Sequence, residues 1–222
     1  MAHVRHDTSA SHAPATTGRL IRWATSYDVL TSVMLLGRRA QLRQETVALA
    51  AIQPGDHVLE VGCGTGDVAL TAQARVGGDG AVAGIDPAPE MIVVAQRKAQ
   101  RLGRPVTFQL GVVEALPFPD QRFDVVLSSL MMHHLPGDLK RDGLAEIARV
   151  LKPGGRLVIV DIKPARSRWE RITNALMMHA HLGGVDLAPL VRAAGFTAVE
   201  SGATCVRPLG FTRATKPAGQ RP

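Results

Sequence analysis

Three groups of residues have side chains and spacings suited to chemistry. The first is Glu60 followed by Gly62-Cys63-Gly64-Thr65-Gly66, within the stretch HVLEVGCGTGD at His57–Asp67. Glycines at every second position remove side chains where the backbone must turn sharply and lie close to a ligand. The second is Asp86, 20 residues beyond Gly66. At that separation a carboxylate closes the second strand of a nucleotide-binding βαβ unit and accepts from ribose hydroxyls. Charge-assisted hydrogen bonds of that kind contribute about 1.5–3 kcal/mol each. The alternative for Asp86 is to cap the next helix, which has Pro89 in its first turn. The third group is His133, His134 and Asp161, each at or just past the end of an apolar run. Imidazole and carboxylate are the candidate bases where an acceptor must lose a proton. Either histidine has the alternative of packing at a sheet edge or capping the helix that begins near Gly137.

The elements that must position these groups alternate. Val58–Val61 is β-branched and apolar, which suits a buried strand, and a helical run follows over 68–76. Strands are expected at 81–86, 106–111, 123–130 and 156–164, with helices at 88–103 and 137–151 between them. Lys152-Pro153-Gly154-Gly155 has the proline and glycine of a type II turn. This order predicts an α/β fold with a parallel sheet and ligands at the strands' C-terminal ends. The end of the chain differs. Helices at 166–182 and 186–194 precede two consecutive strands, 196–204 and 205–217, which predicts an antiparallel hairpin closing the sheet. Ahead of the first strand, Trp23, Tyr27, Leu30, Met34 and Leu35 share a helical face, and a second helix runs over 40–51 to the stop signal Gln53-Pro54-Gly55-Asp56.

The chain has 222 residues, 45% of them hydrophobic, enough for one domain with a full core, and only 4% aromatic, so that core is aliphatic. No apolar run approaches the roughly 20 residues of a membrane span, and the N-terminus lacks the apolar stretch of a secretory signal. Cys63 and Cys205 make no disulfide framework, which predicts a reducing, cytoplasmic setting. The net charge of +7 is compatible with nucleic acid, an anionic membrane surface or an arginine-rich solvated surface. Arg38, Arg39 and Arg43 form a local cluster. No metal is expected: His3, His6 and His12 lie in a polar tail, and His179 and His181 lack an identifiable third ligand.

Four motifs together resemble the class I S-adenosylmethionine-dependent methyltransferases, and within them the UbiE group: VLEVGCGTG (58–66), GIDPAPEMI (84–92), GVVEALPFPDQRFDVVLSSLMMHHL (111–135) and LKPGGRLVIVD (151–161). The resemblance spans roughly Tyr27 to Lys216. It implies a Rossmann-like, doubly wound, seven-stranded sheet, mostly parallel with an antiparallel C-terminal hairpin strand. It divides the chain into a disordered tail (1–18), a helical cap (19–53), the S-adenosylmethionine-dependent methyltransferase domain (54–217) and a C-terminal tail (218–222). It implies that Glu60 and the turn Gly62, Cys63, Gly64 and Gly66 hold the methionine end of S-adenosylmethionine and Asp86 the ribose. Pro87 and Met91 would flank the adenine, with Val112 and Val113 at its edge, Ser128 beside the amine and Tyr27 closing over the cofactor. The chain departs from the group at Val112-Val113, where relatives often carry Asp-Ala. The residues agree with this reading. The pattern G-x-G-x-G is one residue shorter than the dinucleotide fingerprint, and a carboxylate at Glu60 would repel a pyrophosphate but suits an ammonium and a sulfonium. NAD is disfavoured accordingly.

The acceptor is expected to be a small molecule, quinone-like or lipid-like, with its pocket formed by the Trp23–Leu36 face and the segment around Met177. The arginine cluster would then allow peripheral contact with anionic lipid. Two alternatives stay open: an RNA methyltransferase, favoured by the basic charge, and a non-catalytic S-adenosylmethionine-binding module. Against nucleic acid, SSLMMHHL replaces the Asn/Asp-Pro-Pro-Tyr pattern of base-amino methylation, and no aromatic stacking platform is visible.

Overall fold

The structure is a computed structural model that describes Thr16, Gly18, Leu35 and residues 37–164 and 184–219. The expectations for Tyr27, for most of the helical cap, for the helix at 166–182 and for the histidines of both tracts lie outside the described residues. In chain order the elements are α1 (Arg39–Leu49), β1 (His57–Val61), α2 (Asp67–Val76), β2 (Ala81–Asp86), α3 (Pro89–Arg101), β3 (Val106–Leu110), β4 (Phe123–Ser129), a 3-10 turn (Met132–His134), α4 (Gly137–Val150), β5 (Leu151–Ile162), α5 (Ala188–Ala193), β6 (Thr197–Ala203) and β7 (Leu209–Thr215).

The strands form one seven-stranded sheet in the order β3-β2-β1-β4-β5-β7-β6. β1 pairs in parallel with β2 and β4, and β4 with β5, while β7 runs antiparallel to both β5 and β6. The α/β fold and the antiparallel hairpin strand are thus as the sequence implied. Alternate residues of the central strands feed two cores. Val58, Val125, Leu127, Val158 and Val160 pack with residues of α1, α2 and α3, whereas Leu59, Val61, Val126, Leu157 and Ile159 pack with α4 and α5. Burial on both faces explains why these strands read as continuous apolar runs rather than alternating ones.

Two boundaries differ from the sequence reading. β5 begins at Leu151, not at residue 156, because Leu151 pairs with Phe123 before the register shifts and Arg156 pairs with Val125. The Pro153-Gly154 turn therefore bulges from within the strand, with Gly154 at φ +78 and its N–H bonded to the Lys216 carbonyl. β7 begins at Leu209, because Cys205–Pro208 are spent on a turn that Leu209 N–H closes on the Val206 carbonyl.

The order of strands reverses between β1 and β4: β2 and β3 lie to one side, β5 to the other. A crevice opens at such a switch point, beyond the carboxyl ends of the strands. The glycine turn leaves β1 there, and His133-His134 follow β4 there.

Candidate functional site

Two adjoining clefts meet over Gly62 and Gly64 at this switch point. The larger follows the C-terminal ends of β1, β2, β3 and β4. Its walls include Asp86, Pro87, Met91, Val112, Val113 and His134, all expected from the sequence, together with Glu114, Ser129, Leu130 and Met131. The second is lined by Glu60, Cys63, Thr65, Asp67, Arg39 and Arg43, and shares Ser129 and Leu130 with the first.

The glycine turn is shaped by close approach. A Cβ on Gly62, at φ +68, would lie 2.2 Å from Met131 Cγ, and one on Gly66, at φ +82, 2.5 Å from Phe108 Cζ. Side chains at either position would force neighbours apart, besides straining the backbone. Gly66 itself lines neither cleft; it lets α2 start beneath the turn.

Asp86 holds the turn from the neighbouring strand. Its Oδ2 accepts from the Gly64 N–H at 2.9 Å and its Oδ1 from the Ala88 N–H at 2.9 Å. The carboxylate therefore ties the glycine turn to the residue that precedes α3 and also lines the larger cleft; the capping alternative does not hold, since α3 has no side-chain cap hydrogen bond at its N-cap, Ala88. Burial raises its pKa, opposed by those two N–H groups. Glu60 is 2% exposed, and its Oε2 accepts from the Ala69 N–H, in the first turn of α2, at 2.8 Å. Burial pushes its pKa well above the usual carboxylate range; the Ala69 N–H opposes this and the charges of Asp67 and Asp86 add to it. A carboxyl in this state gains from any cation placed beside it. Burial likewise raises the Cys63 thiol, which packs into the core while the residue also lines the second cleft.

The arginine cluster expected at a lipid surface is engaged within the chain. Arg39 and Arg43 donate to Asp67 Oδ2 at 2.7 and 3.0 Å, Lys98 to Oδ1 at 2.9 Å, and Arg38 to the Cys205 carbonyl. Asp67, which opens α2, draws the two α1 guanidinium groups over the second cleft. That cleft is consequently lined by a buried acid, Glu60, and by two guanidinium groups paired with Asp67.

Past β4 the chain turns abruptly. Leu130 adopts φ +56, a left-handed conformation that costs a bulky residue of order 1–3 kcal/mol. Its N–H is held by the Val160 carbonyl at 2.8 Å. The 3-10 turn that follows carries both histidines. His133 N–H donates to Asp161 Oδ2 at 3.0 Å, and the ring Nδ1 lies 2.5 Å from Oδ1, with both side chains about 5% exposed (5% and 6%). His134 lines the larger cleft and its ring sits 3.9 Å, centroid to centroid, from that of His133. Thus the three candidate bases are brought together, but only His134 faces the cleft.

Ser128 lies wholly buried, lines neither cleft and has no hydrogen-bond partner for its hydroxyl; its neighbour Ser129 lines both clefts. Among the lining residues, Arg39, Arg43, Asp67, Glu114, Ser129, Leu130, Met131 and Leu135 were not assigned to the cofactor or the chemistry by sequence reasoning. Thr16 also reaches the larger cleft, donating its hydroxyl to Glu114 Oε1 at 2.5 Å. Among the described residues no cluster suits a metal ion, and no helix is long and apolar enough to cross a membrane.

A family model described as a methyltransferase domain matches residues 58–155. The chain is 40% identical over 150 residues to the demethylmenaquinone methyltransferase of Symbiobacterium thermophilum, an alignment covering 67% of this chain and 59% of that one. It is 38% identical over 141 residues to the demethylmenaquinone methyltransferase of Thermus thermophilus, covering 64% and 63%. The chain thus spans about three fifths of the length of these curated relatives. Among solved structures, an S-adenosylmethionine-dependent methyltransferase from Aquifex aeolicus shares the fold, with TM-score 0.62, 21% identity and coverage of 85% of this chain and 97% of that one.

Proposed function

We propose that this chain, which carries a class I S-adenosylmethionine-dependent methyltransferase domain similar to those of the UbiE group, moves a methyl group from S-adenosylmethionine to a small quinone-like acceptor. The observation that carries the reading is the paired cleft. One half offers Asp86 and an apolar wall, which suits a nucleoside. The other offers a buried acid and guanidinium groups in its lining, which suits the ammonium and carboxylate of an amino acid.

The residues fit the cofactor. Glu60 would take the ammonium, its raised pKa falling as it does so, and Arg39 the carboxylate. Asp86 would hold the ribose, while Pro87, Met91, Val112 and Val113 would enclose the adenine. When bound, S-adenosylmethionine supplies an electrophilic methyl group on a sulfonium. The chain's own task is to align the acceptor and exclude water, since charge is lost along the reaction and alignment alone is worth roughly 7–11 kcal/mol. A ring carbon that gains a methyl group must also lose a proton. His134 is the base in the cleft wall. His133, tied to Asp161 and lying against the His134 ring with the two rings tilted by 45°, keeps that ring in place. The cleft's apolar residues Leu130, Met131 and Leu135 suit an apolar ring, and Met adapts to irregular shapes.

The supporting comparison is the identity to demethylmenaquinone methyltransferases. The test is turnover with methyl-labelled S-adenosylmethionine and demethylmenaquinone chemically reduced to its quinol, whose ring carbon supplies the electron pair. The expected result is a methylated quinol formed one-for-one with S-adenosylhomocysteine; binding of the cofactor with no turnover on any quinol overturns it. A lipid-like acceptor would bring the chain to a membrane surface, and retention on liposomes that contain the quinone tests that part.

A further inference from the structure

Lys140 is a buried cation that methyl transfer as described leaves unused. It lies on α4 and is 6% exposed. A buried ammonium is expensive unless it is paired, and Leu144 and Ile147 of the same helix show that apolar residues pack well there. Its Nζ donates to the Leu135 carbonyl. Burial lowers its pKa, and the charge of Asp161 counters that shift.

Both partners act on one short segment. Leu135 ends the turn that bears the histidines: its N–H bonds to the Met132 carbonyl at 3.1 Å, and the His134 N–H to the Met131 carbonyl at 3.0 Å. Asp161 grips the same turn from the sheet side, through the His133 N–H and ring. Lys140 grips it from the helix side, through the last carbonyl.

We propose that Lys140 is a positioning residue that, with Asp161, forms a two-sided clamp fixing the His133-His134 turn against the cleft. The sheet supplies the anion and helix α4 the cation, and the turn is held between opposite charges. The clamp's effect on turnover rests on the reading of His134 as the base; the clamp itself does not.

The test uses the full chain and two variants. Lys140→Met keeps the stem and removes the charge; Lys140→Arg keeps the charge. Hydrogen exchange is read at the amides of His133, His134 and Leu135, alongside kcat for the quinol and the affinity for S-adenosylmethionine. In Lys140→Met those three amides exchange faster by about tenfold or more, the scale of losing one hydrogen bond from a charged donor. Amides of β1 and β2 stay as they were, kcat falls by at least about tenfold and cofactor affinity changes by less than about twofold. Lys140→Arg recovers most of the protection and rate. Unchanged exchange at the three amides in Lys140→Met overturns the clamp. Should Lys140→Met not fold, Lys140→Gln, which keeps a donor but no charge, takes its place with the same two outcomes. If the wild-type chain methylates nothing, the function proposed above fails, and the exchange measurement still decides the clamp.

Discussion

The two sides of the switch point are built differently. On the β1–β2 side a turn of glycines is fixed by one carboxylate that bonds the Gly64 and Ala88 N–H groups. On the β4–β5 side stand side chains on a strained turn, held by a histidine–aspartate pair and a buried lysine. On the function proposed, the first side takes the cofactor and the second faces the acceptor.

That contrast predicts different losses on the two sides. His134→Ala should give the largest effect, a fall in kcat of about 10²–10⁴-fold with cofactor affinity unchanged. Steady-state kinetics with binding calorimetry checks the split, and an equal loss in both quantities would erase the difference between the sides. Asp86→Ala should weaken cofactor binding at least about tenfold, as loss of charge-assisted hydrogen bonds implies. Wild-type affinity in that variant would leave Asp86 as a turn and helix-entry residue alone.

Proton release sharpens the cofactor side further. Glu60 and Asp86 both have raised pKa values in the cofactor-free chain because they are buried. An ammonium favours ionised Glu60, so binding expels a proton, and affinity rises with pH through the raised range and then levels off. Calorimetry in two buffers of different ionisation enthalpy measures that proton; no buffer dependence would separate Glu60 from the ammonium. The smallest expected effect is at Val112, where the resemblance to the UbiE group implies Asp. Val112→Asp should tighten cofactor binding severalfold, about the 0.5–1.5 kcal/mol of one added hydrogen bond, and titration of the variant checks it.

The cofactor side was the more legible in the sequence for a physical reason. A glycine turn after a strand, and a carboxylate at a fixed distance beyond it, are local signals set by backbone geometry. Arg39 and Arg43 read as surface charge because their partner, Asp67, lies 28 and 24 residues further on. Ser128 and Ser129 are indistinguishable by type, and only the register of β4 sends one into the core and the other to the clefts. Leu130 has no residue-type signature for its left-handed backbone. Lys140 carried no signal in the sequence, since nothing local shows that its head reaches the turn carrying the histidines.

The most direct test of the account is to incubate the chain and a fractionated cell extract with methyl-labelled S-adenosylmethionine, alongside the Asp86→Ala and His134→Ala variants. The account predicts label in the apolar small-molecule fraction with the wild-type chain, and its loss in both variants, through binding in the first and through rate in the second. Label confined to RNA, or apolar label that persists in His134→Ala, would contradict it.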